Sequence, residues 1–144
     1  MSLHSFSRRL VAVGRIAVSG FVVATTAAQA NPPIIVNCNG GGQICNQMAR
    51  YNFTSESPNF DYALQVTAPA THCSEVKYFT TNRQGQRVET EFLGPNRSAF
   101  LPIGDNWPQG NHPIQIGAIG RQGGCNAGTL GSWGVQVRPV VVPR

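Results

Sequence analysis

The clearest alternation of apolar and polar positions in the chain is FDYALQVT, residues 60–67. Phe60, Tyr62, Leu64 and Val66 fall at every second position, and the residues between them are polar or small. Because successive side chains of a strand point to opposite faces of a sheet, this period of two predicts a β-strand with one buried face.

Other segments of strand-like composition are separated by turns rich in glycine, proline and asparagine. The stronger candidates are 75–81, 87–93, 98–103, 113–120 and 133–142, and the weaker ones are 34–38 and 51–55. The segments 75–81 and 87–93 flank the turn NRQGQ, which predicts a β-hairpin with one solvated face. Helical spacing occurs only in 44–51, where it predicts one or two turns.

Many short strands with a turn about every 8–12 residues predict an all-β fold. We expect a small antiparallel β-sandwich of seven or eight strands, immunoglobulin-like in the loose sense, with a partly closed β-barrel as the alternative. Glycine and proline are spread between the apolar alternations rather than gathered in one block, which argues against a disordered tract.

The first 30 residues have the layout of a secretory signal peptide. Arg8, Arg9 and Arg15 are followed by the apolar run IAVSGFVVATTAA and by the small-residue motif AQA. The apolar run is shorter than the roughly 20 residues needed to cross a bilayer, so we expect no stable membrane insertion. The sequence predicts cleavage after Ala30, a single domain over 31–144, and a secreted or periplasmic protein.

Removal of that segment changes the charge of the chain. Three of the eleven basic residues lie in it, which leaves eight basic against six acidic residues in the mature part. These basic residues are scattered, and no cluster or stripe of them provides an electrostatic footprint for nucleic acid. We therefore expect no nucleic-acid partner.

Four cysteines follow the signal segment, an even number that predicts two disulfides in a small exported domain. Of the three possible connectivities, we favour Cys38–Cys45 with Cys73–Cys125, because three glycines let the backbone reverse within CNGGGQIC. That stretch lacks the spacing of a zinc site, the lysine of a phosphate-binding loop and the C-x-x-C of a redox dithiol. It predicts a turn stapled by a disulfide, and no metal or cofactor is expected.

Candidate catalytic groups are few. Glu89 and Glu91 are two positions apart on a predicted strand, so both carboxylates point to one face, as in the carboxylate pairs of glycoside hydrolases. The same alternation describes the solvated face of a hairpin, where Arg87 balances the charge. We favour the solvated face, expect no catalytic residue, and expect the protein not to be an enzyme.

Two loops are candidates for binding. The first, GDNWPQGNHP at 104–113, surrounds an aromatic side chain with short polar ones, as in sites for sugars or peptides. Its candidate ligand-binding residues are Trp107, Asp105, Asn106, Asn111 and His112. Alternatively, Trp107 covers the end of the core. The second candidate is 117–134, interpreted as a long hairpin loop anchored by Cys125, with Trp133 in the core and His72 in a surface loop.

Taken together, these patterns predict a secreted or periplasmic, non-enzymatic binding or structural module of the cell envelope, with an unknown protein or carbohydrate ligand. One alternative is a small secreted inhibitor or effector that presents the disulfide-stapled loop. A glycoside hydrolase that uses the paired carboxylates is the weaker alternative.

Overall fold

The computed structural model describes residues 31–38 and 42–143. The predicted signal segment and its cleavage site lie outside the described residues, as do positions 39–41 of the stapled turn. Eight β-strands and no helix occur in the described part. They are β1 (Ile34–Asn37), β2 (Ala49–Ser55), β3 (Asp61–Thr67), β4 (Val76–Thr81), β5 (Arg87–Glu89), β6 (Ser98–Gly104), β7 (Gly110–Gly120) and β8 (Ser132–Val142).

These strands form two four-stranded sheets, in the orders β1-β8-β3-β6 and β2-β7-β4-β5, and every pairing is antiparallel. The predicted sandwich is therefore confirmed, and the sheets do not close into a barrel. Among the described strands, only β4 and β5 are consecutive within one sheet. Every other connection crosses from one sheet to the other, so both ends of the sandwich are built from crossover loops.

The alternation in β3 has the predicted effect. Tyr62, Leu64 and Val66 are buried between the sheets, while Gln65 and Thr67 lie on the outer face. Phe60 precedes the strand and is 40% exposed. The alternation of apolar residues in the sequence therefore begins before β3 itself. The core between the sheets gains its bulk from fully buried aromatic and branched side chains, including Trp133, Tyr78, Phe53, Leu64, Leu101, Ile103 and Ile116.

Three local predictions need correction. The segment 44–51 forms no helical turn: Ile44 makes an isolated bridge to Ile119, and the rest leads into β2. The predicted strand 87–93 ends at Glu89, because the Thr90 hydroxyl accepts the Tyr78 N–H and interrupts the regular pairing.

The segment 117–134 is a crossover between sheets and not a hairpin loop. Its first residues complete β7 in one sheet, and its last residues begin β8 in the other. The sequence could not distinguish the two arrangements, because both need a long glycine-rich connection between strands.

Both predicted disulfides, Cys38–Cys45 and Cys73–Cys125, are present. They lie at the same end of the sandwich, which we call the disulfide end. Four connections meet there: residues 38 and 42–48 between β1 and β2, 68–75 between β3 and β4, 90–97 between β5 and β6, and 121–131 between β7 and β8. Two disulfides in so small a domain indicate an oxidising, extracellular setting.

Candidate functional site

Trp107 packs into the end of the core opposite the disulfides, which we call the Trp107 end, and is only 8% exposed. Its indole nitrogen donates a hydrogen bond to the Ile103 carbonyl at 3.2 Å. The Phe53 ring meets it edge-on, with centroids 5.5 Å apart, and the Arg83 guanidinium lies 5.3 Å from the ring centroid. Trp107 therefore covers the core, and too little of its ring is exposed for a ligand to stack on it.

Asp105 and Asn106 precede Trp107 at the surface. The Gln84 side-chain amide donates to the Asp105 carboxylate at 3.5 Å, and the Asn106 N–H donates to the Pro58 carbonyl at 3.2 Å. Asn106 also adopts the left-handed conformation at φ 58°, which asparagine tolerates better than most residues. The backbone of this loop is thus fixed by neighbouring turns.

Asn111 and His112, at the start of β7, are also engaged by protein groups. The Asn111 side-chain oxygen accepts from the Thr54 hydroxyl at 2.6 Å, and His112 Nε2 donates to the Pro108 carbonyl at 2.6 Å. The structure does gather the five predicted residues at one end, but these hydrogen bonds stabilise the loop itself. A ligand-binding role for its polar side chains stays a prediction.

Of the two carboxylates Glu89 and Glu91, only Glu89 lies on β5. Glu89 accepts from Lys77 at 3.3 Å and from Arg87 at 2.7 Å, which places it between two cations on the outer face of its sheet. Glu91 lies exposed beyond the strand. These ion pairs are those of a solvated sheet face, and such exposed pairs contribute about 0–1 kcal/mol each.

A cleft of about 450 Å³ opens at the disulfide end. Its walls come from the crossover 68–75, from the loop 121–131 and from the adjoining parts of β1 and β8. The Cys73–Cys125 bond joins the two connections and lies in the wall of the cleft. A volume in the range of about 300–1,000 Å³ is typical of small-molecule sites in proteins.

The base of this cleft is built around Gly134. β3 ends at Thr67, opposite Gln136, so residues 132–135 of β8 have no strand partner on the side of β3. Two side chains take the place of a strand there. The Gly134 N–H donates to His72 Nε2 at 2.9 Å, and the Tyr78 hydroxyl donates to the Gly134 carbonyl at 2.6 Å. Both backbone polar groups of the buried residue Gly134 are therefore satisfied, as buried backbone groups must be.

The bond from Gly134 fixes the protonation state of His72. Because Nε2 accepts a hydrogen bond, the imidazole is neutral and carries its proton on Nδ1. Partial burial lowers the pKa of His72 from its ordinary value, since desolvation disfavours the charged ring. Burial has the opposite effect on the Tyr78 hydroxyl, whose pKa is raised, so that it remains a donor.

The remaining polar lining consists mainly of hydroxyl groups. Thr71, Ser74, Thr129 and Ser132 line the cleft, and none of their hydroxyls has a hydrogen-bond partner in the described part of the protein. No charged side chain contributes to the wall. The cleft is thus neutral and rich in groups that can both donate and accept.

Residues from this cleft were not among the predicted binding residues. His72 was expected to be a surface loop residue, yet it accepts a bond from a glycine 62 positions away. The one useful signal was the length of the segment 117–134, which marked it as a candidate binding loop and which contributes Thr129 and Ser132.

Across residues 31–38 and 42–143, no group of three or more His, Cys, Asp or Glu side chains is placed to hold a metal ion. The same part of the chain contains no helix that is long and apolar enough to cross a membrane. Comparison with protein-family models, with curated proteins and with solved structures gives no match, so the cleft is interpreted from its own geometry.

Proposed function

We propose that the protein is an exported, non-enzymatic binding module of the cell envelope that holds its ligand in the cleft at the disulfide end. The observation that carries this proposal is the set of four hydroxyls without protein partners in a cleft of about 450 Å³. Polar groups that line a concave site without partners are available to a ligand or to water.

The alternatives lack comparable support. In the inhibitor hypothesis the stapled turn would protrude, but its described residues are hydrogen-bonded to the loop 121–131. The Gly42 carbonyl accepts from the Leu130 N–H at 2.8 Å, and the Gln43 side-chain oxygen accepts from the Asn126 side-chain amide at 3.0 Å. For the hydrolase hypothesis, Glu89 is held in ion pairs outside the cleft. Neither feature favours a protruding loop or a pair of carboxylates around a substrate.

The proposal is tested on protein recovered from the envelope or the medium, whose intact mass should correspond to residues 31–144. Backbone amide shifts are followed by NMR while N,N′-diacetylchitobiose, cellobiose, digalacturonate, triglycine and trialanine are titrated separately. We expect at least one of these probes to shift amides of the cleft without being chemically altered.

A matched pair of variants locates the binding. Thr129→Arg places a bulky charged side chain in the wall of the cleft, and Thr81→Arg makes the same change at an exposed position at the end of β4. The first variant should abolish the shifts and the second should preserve them. If no probe shifts the cleft amides, or if both variants behave alike, the cleft is not the binding site.

A further inference from the structure

The electrostatics of the cleft restrict the charge of its ligand. No charged side chain lines it, and the nearest ionic pair, Arg121 with Glu75 at 2.6 Å, lies in an adjoining depression where the two groups neutralise each other. A charged ligand would lose hydration in the cleft without gaining an ion pair. The cleft therefore favours a ligand without net charge.

The hydrogen-bonding groups restrict the ligand further. The hydroxyls of Thr71, Ser74, Thr129 and Ser132 each donate once and accept twice, and His72 Nδ1 carries a proton as a further donor. A ligand that matches them presents many groups that both donate and accept at short spacing. The hydroxyls around a sugar ring have this property, whereas a peptide alternates fixed donors and fixed acceptors.

The backbone of Gly134 is closed to an added peptide strand. On one side of Gly134, β1 pairs with β8 through Ile35, and on the other side His72 and Tyr78 occupy its N–H and carbonyl. Addition of a strand requires a row of free backbone groups at a sheet edge. A strand therefore cannot add at Gly134; among the described strands, the unpaired edge nearest the cleft is the outer side of β1.

One exposed apolar side chain completes the cleft. Ile35 is 60% exposed at its rim, whereas Leu130 and Trp133 are almost fully buried behind its wall. A C–H face of a sugar ring can pack on Ile35 while the sugar hydroxyls bond to the polar side chains. We propose that the cleft binds a neutral saccharide; this inference rests on the proposed function and narrows it to one ligand class.

Two tryptophans give an internal reporter for the test. Trp133 lies in the wall of the cleft and its indole nitrogen has no hydrogen-bond partner among the described residues, whereas Trp107 lies at the opposite end and bonds to Ile103. The two indole N–H resonances, assigned through a Trp107→Phe variant, are followed while the neutral disaccharides N,N′-diacetylchitobiose and cellobiose are titrated. The acidic disaccharide digalacturonate and the peptides triglycine and trialanine are titrated in parallel.

We expect a neutral disaccharide to shift the Trp133 resonance and to leave that of Trp107 unchanged. Digalacturonate should bind about tenfold more weakly or worse, because its charges find no partner in the cleft. Thr129→Arg should weaken binding of the neutral sugar by about tenfold or more, and Thr81→Arg should not change it.

The outcomes separate the two proposals. If triglycine or trialanine shifts the Trp133 resonance and the neutral sugars do not, the saccharide inference is wrong and the binding function stands. Preference for digalacturonate over cellobiose would also overturn the saccharide inference as stated. If none of the probes shifts that resonance or the cleft amides, both proposals are wrong.

Discussion

Removal of the Cys73–Cys125 disulfide should destabilise the protein more than removal of the Cys38–Cys45 disulfide. In the chain-entropy model, closure of a loop with a sequence separation of 52 contributes about 4 kcal/mol at 25 °C. The Cys38–Cys45 bond closes a separation of 7, for which the same model gives about 2.4 kcal/mol. Loop length alone therefore predicts a difference of about 1.8 kcal/mol.

The position of the bond acts in the same direction. Cys73 lies in the crossover from β3 to β4, and Cys125 lies in the crossover from β7 to β8. The bond thus links two connections that run between the sheets in opposite directions. Cys38–Cys45 closes a single crossover near the N-terminal strand, where local fraying is less costly.

The assay is equilibrium unfolding in urea under non-reducing conditions. The Cys73→Ala/Cys125→Ala variant should lose about 2–5 kcal/mol of unfolding free energy, and Cys38→Ala/Cys45→Ala distinctly less. Non-reducing peptide mapping of the wild type first establishes the pairing in solution. An equal or larger loss for the Cys38/Cys45 variant would refute the reasoning, since loop length and position both predict the reverse.

Two further predictions concern the disulfide end. Gly124 has φ +57°, and a Cβ there would lie 2.5 Å from the Cys73 carbonyl oxygen. Gly124→Ala should therefore lower the free energy of unfolding in urea by about 1–3 kcal/mol. Gly131→Ala is the control and should lower it little, because its Cβ would meet no atom within 4 Å. Equal losses would contradict the close approach. His72 binds a proton less readily in the folded than in the unfolded chain, so stability should be complete above about pH 6.5 and fall as the pH drops below it. His72→Gln, whose amide oxygen can still accept from Gly134, should flatten that decline below about pH 6.5 in thermal unfolding; an unchanged decline would contradict the assignment.

The features that sequence predicted correctly are those with local causes. The alternation in 60–67 specifies which face of β3 is buried, because side-chain direction depends only on strand geometry. Trp133 was predicted to lie in the core and is 1% exposed. The pairing of the cysteines followed from the glycines of CNGGGQIC and from the even count.

The features that sequence could not predict depend on contacts between distant segments. The sequence left two roles open for Trp107, ligand binding and cover of the core, and the second depends on the ring of Phe53, which β2 brings against it. His72 becomes part of a cleft because β3 stops short of Gly134 and leaves a peptide unit that needs an acceptor. No local sequence pattern indicates where one strand ends relative to another. The binding loop predicted from sequence therefore lies at the Trp107 end, whereas the cleft lies at the disulfide end.

The contrast between the two ends explains why the cleft lies where it does. At the Trp107 end, the rings of Trp107, Phe53, Tyr62 and His112 pack together and close the space between the sheets. Such packing excludes water and leaves little room for a ligand. The described connections of the disulfide end contribute Leu93 and Leu130 to the core, and two covalent bonds also hold them. A disulfide stabilises mainly by restricting the unfolded chain and does not need to fill volume. Covalent closure therefore permits an open, hydroxyl-lined cleft at an end that hydrophobic packing alone would have to fill.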